Sequence, residues 1–128
     1  MIPFWTTLHW EEMANDKQEV LRGHDAYKAR LRAGENVKRR ETGNSMAPKI
    51  FSREEIEYAP VRSPDDVREG DVVWCKVKGN HFTHLVKAKK LEGEVWRFQI
   101  GNNKGGTNGW IGFENVFGKA ISAGGRPL

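Results

Sequence analysis

From residue 56 onward, apolar residues return at every second position in short bursts, separated by glycine, proline, asparagine or aspartate. In the run from Val95 to Ile100, Trp96, Phe98 and Ile100 share one face while Arg97 and Gln99 take the other. That is how a half-buried antiparallel strand reads. The same alternation predicts strands over 56–61, 71–78, 82–90 and 115–122. Pro60 confines the first of these to an edge or a strand end, because proline cannot donate to a ladder. Lys78-Gly79-Asn80 and Glu92-Gly93-Glu94 predict hairpin connections, and Ser63-Pro64-Asp65-Asp66 and Glu69-Gly70-Asp71 predict turns. Before residue 37 the period is helical instead. Asn15-Asp16 is suited to cap a helix running to about Ala33, with Val20, Leu21, Tyr27 and Leu31 as a thin apolar stripe and Gly34 as its stop. The expected architecture is mainly β, with a charged, partly helical arm over 1–36 and a β domain over 37–128.

Length and composition narrow this only slightly. The chain has 128 residues, 38% hydrophobic and 30% charged, which suits one soluble globular domain with a real core. It contains no apolar run of the length that crosses a bilayer and no basic start followed by a long apolar stretch, so neither a span nor a secretory leader is expected. One cysteine cannot form an internal disulfide, and no Cys/His spacing suggests zinc; a reducing cytoplasmic setting is the simplest expectation, with no metal or cofactor. Cys75 alternates with Val73 and Val77 on one face and reads as a buried structural thiol. The net charge of +4 permits acidic partners without requiring them. Lys28, Arg30, Arg32, Lys38, Arg39 and Arg40 are the best candidates for nucleic-acid contact, but they lack the interleaved aromatics of a single-strand platform.

Candidate chemistry centres on Gly43-Asn44-Ser45-Met46-Ala47-Pro48. Gly43 and Asn44 tolerate turn geometry and Pro48 ends any regular ladder, so Ser45 is presented outward on a tight turn. Backbone N–H groups around such a serine are free to bind a developing oxyanion. The same composition also suits an ordinary loop. On the strand over 82–90, His84 falls with Phe82, Val86 and Ala88 on an apolar face, where a neutral imidazole can reach a serine on a neighbouring segment; a plain core histidine is the alternative. His81 falls on the opposite face, near a turn, and is the weaker candidate. The stretch from Gly101 to Trp110 lacks the Gly-Lys-Ser/Thr ending and following helix of a phosphate loop and reads as a long Gly/Asn loop.

Taken in order, Ser45-Met46-Ala47-Pro48, Gly70-Asp71-Val72-Val73, the strand with His84, Gly101-Asn102-Asn103 with Asn108, and Phe117-Gly118-Lys119-Ala120 form a set. The set, covering about 37–121, resembles the serine peptidase superfamily that joins type I signal peptidases to the self-cleaving, LexA-like SOS repressors. The resemblance implies a LexA/signal-peptidase-like antiparallel β domain with a short N-terminal helical arm. It implies Ser45 as nucleophile and His84 as base, closest to the branch that uses His where bacterial members use Lys. Asn102 and Asn108 stand where that branch has acidic residues, so they are the implied partners orienting His84. An amide can orient imidazole but brings no charge to the imidazolium. Gly43, Asn44 and Ser45 form the implied oxyanion turn, although Gly43 replaces a hydroxyl donor of signal peptidases.

Two functions follow from this resemblance. One is a soluble serine endopeptidase with a Ser45–His84 dyad, acting on a peptide or protein. The other is a peptidase-fold binding module without catalysis, like accessory regulatory proteins of phages and mobile elements, docking on a protein or nucleic acid. Ala33-Gly34 matches the dipeptide that self-cleaving members cut, yet it stands too close to Ser45 in sequence for self-cleavage to be expected there.

Overall fold

A computed structural model describes residues 23–128, and within them the chain is mainly β. The start expected for the helix at Asn15-Asp16, and the stripe residues Val20 and Leu21, lie outside the described residues. The described helix, α1, spans His24–Arg32. It stops as expected at Gly34, where φ is 90° and the N–H groups of Gly34 and Glu35 return to the carbonyls of Leu31 and Arg30 at 3.0 Å each. Nine residues are too few for a helix to persist alone in water. Leu31, 3% exposed, anchors it by packing against the backbone of Gly118, and burying such a side chain stabilises by roughly 1.5–3 kcal/mol. The described part of the arm is therefore joined to the core of the β domain.

Among the described residues, eight strands make one antiparallel sheet: β1 (Val37–Arg40), β2 (Glu55–Ala59), β3 (Val72–Val77), β4 (Asn80–Glu92), β5 (Val95–Gly101), β6 (Thr107–Gly112), β7 (Val116–Ala123) and β8 (Arg126–Pro127). Their order is β1-β2-β7-β3-β4-β5-β6, with β8 beside β7. The expected strands are present with shifted ends, and Pro60 follows the last residue of β2. The β3–β4 connection is a two-residue hairpin, with φ of 51° at Lys78 and 85° at Gly79, the twist that suits paired strands. One expectation fails. The stretch from Gly101 to Trp110 is not all loop, because Thr107–Gly112 is an edge strand paired with β5. Its asparagine and glycines have little strand propensity, so the pairing comes from tertiary context.

The sheet buries both faces. On β3, Val72 and Trp74 enter one core with Leu31, Val37, Ile56 and Tyr58, while Val73, Cys75 and Val77 enter a second with Val86, Phe98 and Ile100. This is why β3 begins as an unbroken apolar run rather than an alternating one. Register shifts at Glu57/Tyr58, Trp74/Cys75, Val86/Ala88 and Ile100/Gly101 bend the sheet enough for each face to close on its own cluster. Cys75 is fully buried, and burial pushes its thiol up to about 12. No helix among the described residues is long and apolar enough to cross a membrane.

Candidate active site

Beyond β1 the chain leaves the sheet and folds into the turn that carries Ser45. The turn is anchored from below by Met46 and Ile50, 4% and 6% exposed, in the first core. Locally, Ala47 N–H donates to the Asn44 carbonyl at 3.2 Å and Ile50 N–H to that of Met46 at 3.1 Å. Gly43 has φ of 115°, a conformation that a side chain would strain, and its N–H donates to Ser52 Oγ at 3.0 Å. That donor is occupied. The Ser45 N–H has no acceptor among the described residues.

His84 comes to this turn from β4, where it pairs with Val73 of β3. Its ring is 6% exposed and stacks on Phe82, with centroids 4.7 Å apart. Ser45 Oγ lies 3.0 Å from His84 Nε2, and His84 Nδ1 lies 2.7 Å from Asn108 Oδ1 on β6. An amide oxygen only accepts, so Nδ1 carries the proton and Nε2 presents its lone pair to the Ser45 hydroxyl. Burial lowers the His84 pKa below its ordinary value, opposed by the Asn108 hydrogen bond and by the nearby Glu41 carboxylate. At neutral pH the imidazole is therefore uncharged, the state in which it can take a proton.

The two asparagines named from the sequence separate here. Asn108 touches the imidazole. Asn102 does not: its Oδ1 accepts from the N–H groups of Lys104 and Gly106 at 2.8 and 2.9 Å and so closes its own loop. The reason is the extra strand, since β6 carries Asn108 back to His84 after Asn102 has turned away. Asn103, between them, was not singled out from the sequence. Its N–H donates to the Ser45 carbonyl at 3.0 Å and its Nδ2 to the Ala47 carbonyl at 3.1 Å, clamping the serine turn onto this loop. Its place beside the named Asn102 was the only signal.

Glu41 was missed as well. Its Oε1 accepts from Thr83 Oγ1 at 2.7 Å and from Arg39 Nη1 at 3.2 Å, while Tyr58 lies 2.7 Å from Thr83. This network fixes Thr83, the neighbour of His84. Glu41 and Thr83 also line a cleft of about 370 Å³ that contains Ser45 and His84, with Thr42 and His81 as further polar lining and Met46, Ile50, Phe51, Ile56 and Phe82 as apolar lining.

The remaining candidates have other partners, although His81 also lines the cleft. The His81 ring packs against His24, Trp74 and Phe117 with centroids 4.0–6.0 Å apart, and burial lowers its pKa to about 4. Within the basic cluster, Lys28 sits 4.0 Å above Phe117, Arg39 sits 4.2 Å above Trp74, and Lys38 and Arg40 both reach Glu55. Most of that cluster is thus engaged within the fold. Among the described residues, no group of three or more His, Cys, Asp and Glu side chains is placed to hold a metal. No protein-family model, curated protein or solved structure matches the chain.

Proposed function

We propose that this protein is a serine endopeptidase with the LexA/signal-peptidase type of β domain, in which Ser45 is the nucleophile and His84 the general base. The observation that supports it is the continuous hydrogen-bonded chain Ser45–His84–Asn108 at 3.0 and 2.7 Å, opening on a cleft with both polar and apolar walls. In the reaction His84 Nε2 takes the hydroxyl proton as Ser45 Oγ attacks a peptide carbonyl. The oxyanion forms against the Ser45 N–H, and the imidazolium returns its proton to the leaving amine. Water then attacks the acyl-enzyme with the same base, releasing the acid and restoring Ser45.

The substrate binds extended. The β4–β5 ladder begins only at Leu85, so Asn80–His84 has a strand partner on the β3 side alone among the described residues. A peptide strand added along this free edge runs directly past Ser45.

The test is acylation by a serine-directed probe as a function of pH. Labelling is expected to map to Ser45, to rise through a midpoint below 6.5 as His84 loses its proton, and to fall by about 10²–10⁴ in His84→Ala. Ser45→Ala should not label at all. Labelling that persists in Ser45→Ala, or a folded parent that never labels, refutes the assignment. A second function, peptide binding without turnover, is favoured by Asn108: as an amide it gives the imidazolium no countercharge. It predicts that peptides bind the parent and Ser45→Ala equally and leave uncut.

A further inference from the structure

We propose that the cleft selects a peptide bearing a lysine side chain, with the Glu41 carboxylate as the specificity-determining group. This rests on the peptide-binding role assigned to the cleft above and adds the class of side chain it accepts.

Of the residues lining the cleft, Glu41 alone carries a formal charge at neutral pH, since His81 and His84 are both neutral there. The cleft that it lines also presents the apolar side chains of Met46, Ile50, Phe51 and Ile56. A carboxylate in such a setting needs strong hydrogen-bond partners. Its two oxygens are treated unequally. Oε1 accepts from Thr83 Oγ1 at 2.7 Å and Arg39 Nη1 at 3.2 Å, while the Tyr58 hydroxyl donates to Thr83 Oγ1 at 2.7 Å, whereas Oε2 has no partner among the described residues.

Arg39 does not close that vacancy in the coordination of Glu41. Its guanidinium lies over Trp74 at 4.2 Å and near Tyr27 at 5.3 Å, its side chain is 10% exposed, and it is not part of the cleft lining. The Glu41 side chain lines the cleft and is 28% exposed, so the carboxylate can be reached from there while still partly desolvated. A cation arriving there gains a charge-assisted hydrogen bond in a medium less polar than water. Because Oε1 is already saturated, a guanidinium fork cannot engage both oxygens. A single ammonium can engage Oε2, and its four-carbon stem can lie along the apolar wall. Lysine is therefore preferred over arginine, and both over neutral side chains.

The test uses fluorescent extended peptides of alanine and leucine in which one position at a time is lysine, arginine, norleucine or acetyl-lysine. Binding is measured to full-length Ser45→Ala, which cannot cut them. At one position lysine should bind about tenfold more tightly than norleucine or acetyl-lysine, and the gain should shrink in high salt. Glu41→Gln, which retains an acceptor for Thr83, should bring lysine and norleucine peptides to equal affinity when both are measured on that same variant. Equal binding of lysine and norleucine at every position overturns the inference with no Glu41 variant needed, as does a lysine preference that survives Glu41→Gln. Labelling of Ser45 by an uncharged acylating probe separates the two claims. Labelling without lysine preference refutes the specificity alone, while lysine preference without labelling upholds the specificity and refutes hydrolysis.

Discussion

Replacing Asn108 by aspartate supplies the charge that the Ser45–His84–Asn108 chain lacks, at nearly constant shape. The new carboxylate oxygen would stand 2.7 Å from His84 Nδ1, where the amide oxygen now stands. A hydrogen bond involving a charged group stabilises by about 1.5–3 kcal/mol against about 0.5–1.5 for a neutral one, so the imidazolium gains roughly 1–1.5 kcal/mol. The simple Coulomb energy of such a pair is larger, about 4 kcal/mol at 4 Å and an effective dielectric of 20, but desolvation of the added carboxylate offsets part of it. A gain of that size raises the His84 pKa by about one unit and, when the imidazolium is fully formed in the transition state, speeds acylation about tenfold. The two effects act together in a pH profile of probe labelling. Below both midpoints the smaller neutral fraction cancels the faster step and the curves coincide; above them Asn108→Asp labels about tenfold faster. A folded variant whose midpoint and plateau both match the parent would show that Asn108 does not act on His84, and would refute the assigned role.

Three further outcomes follow from the same contacts. Asn103→Ala removes the bond to the Ala47 carbonyl while keeping the backbone bond to Ser45, so it should cost about 0.5–1.5 kcal/mol in denaturant unfolding and slow Ser45 labelling. Gly109→Ala forces a side chain into a φ of 142° and places its Cβ 3.3 Å from Val77, so it should cost about 1–3 kcal/mol and, by shifting Asn108, lower the labelling rate. His24, His81 and His84 all have pKa values lowered by burial, hence the unfolded chain binds more protons than the native one between the folded pKa values and 6.5. Their contribution is complete above pH 6.5 and is lost as pH falls toward 4, so Tm should drop over that interval, and His81→Phe should reduce the drop; an identical pH dependence in the variant would contradict the cause given.

Much of the β architecture could be read along the chain, because a strand with one face or both in a core leaves either alternation or an unbroken apolar run. β3, β4, β5 and β7 announce themselves this way, and Lys78-Gly79 and Gly34 mark where the chain must turn. Local rules also placed His84 on the face of Phe82 and Val86 and set His81 on the other. β6 escaped because Thr107-Asn108-Gly109 carries no hydrophobic signal; it is a strand only because β5 offers its edge. With β6 went the distinction between Asn102 and Asn108, which depends on register and not on residue type.

The sequence by itself determined that the chain makes a mainly antiparallel β domain, that Ser45 sits on a turn, and that His84 faces an apolar layer, since each is set by neighbours within a few positions. Only the tertiary structure decided which side chains meet. Ser45, His84 and Asn108 come from a loop, β4 and β6, and Glu41 finds Thr83 and Tyr58 across the fold. Such contacts are fixed by strand order and by register shifts at bulges, where a one-residue slip turns a side chain to the opposite face of the sheet.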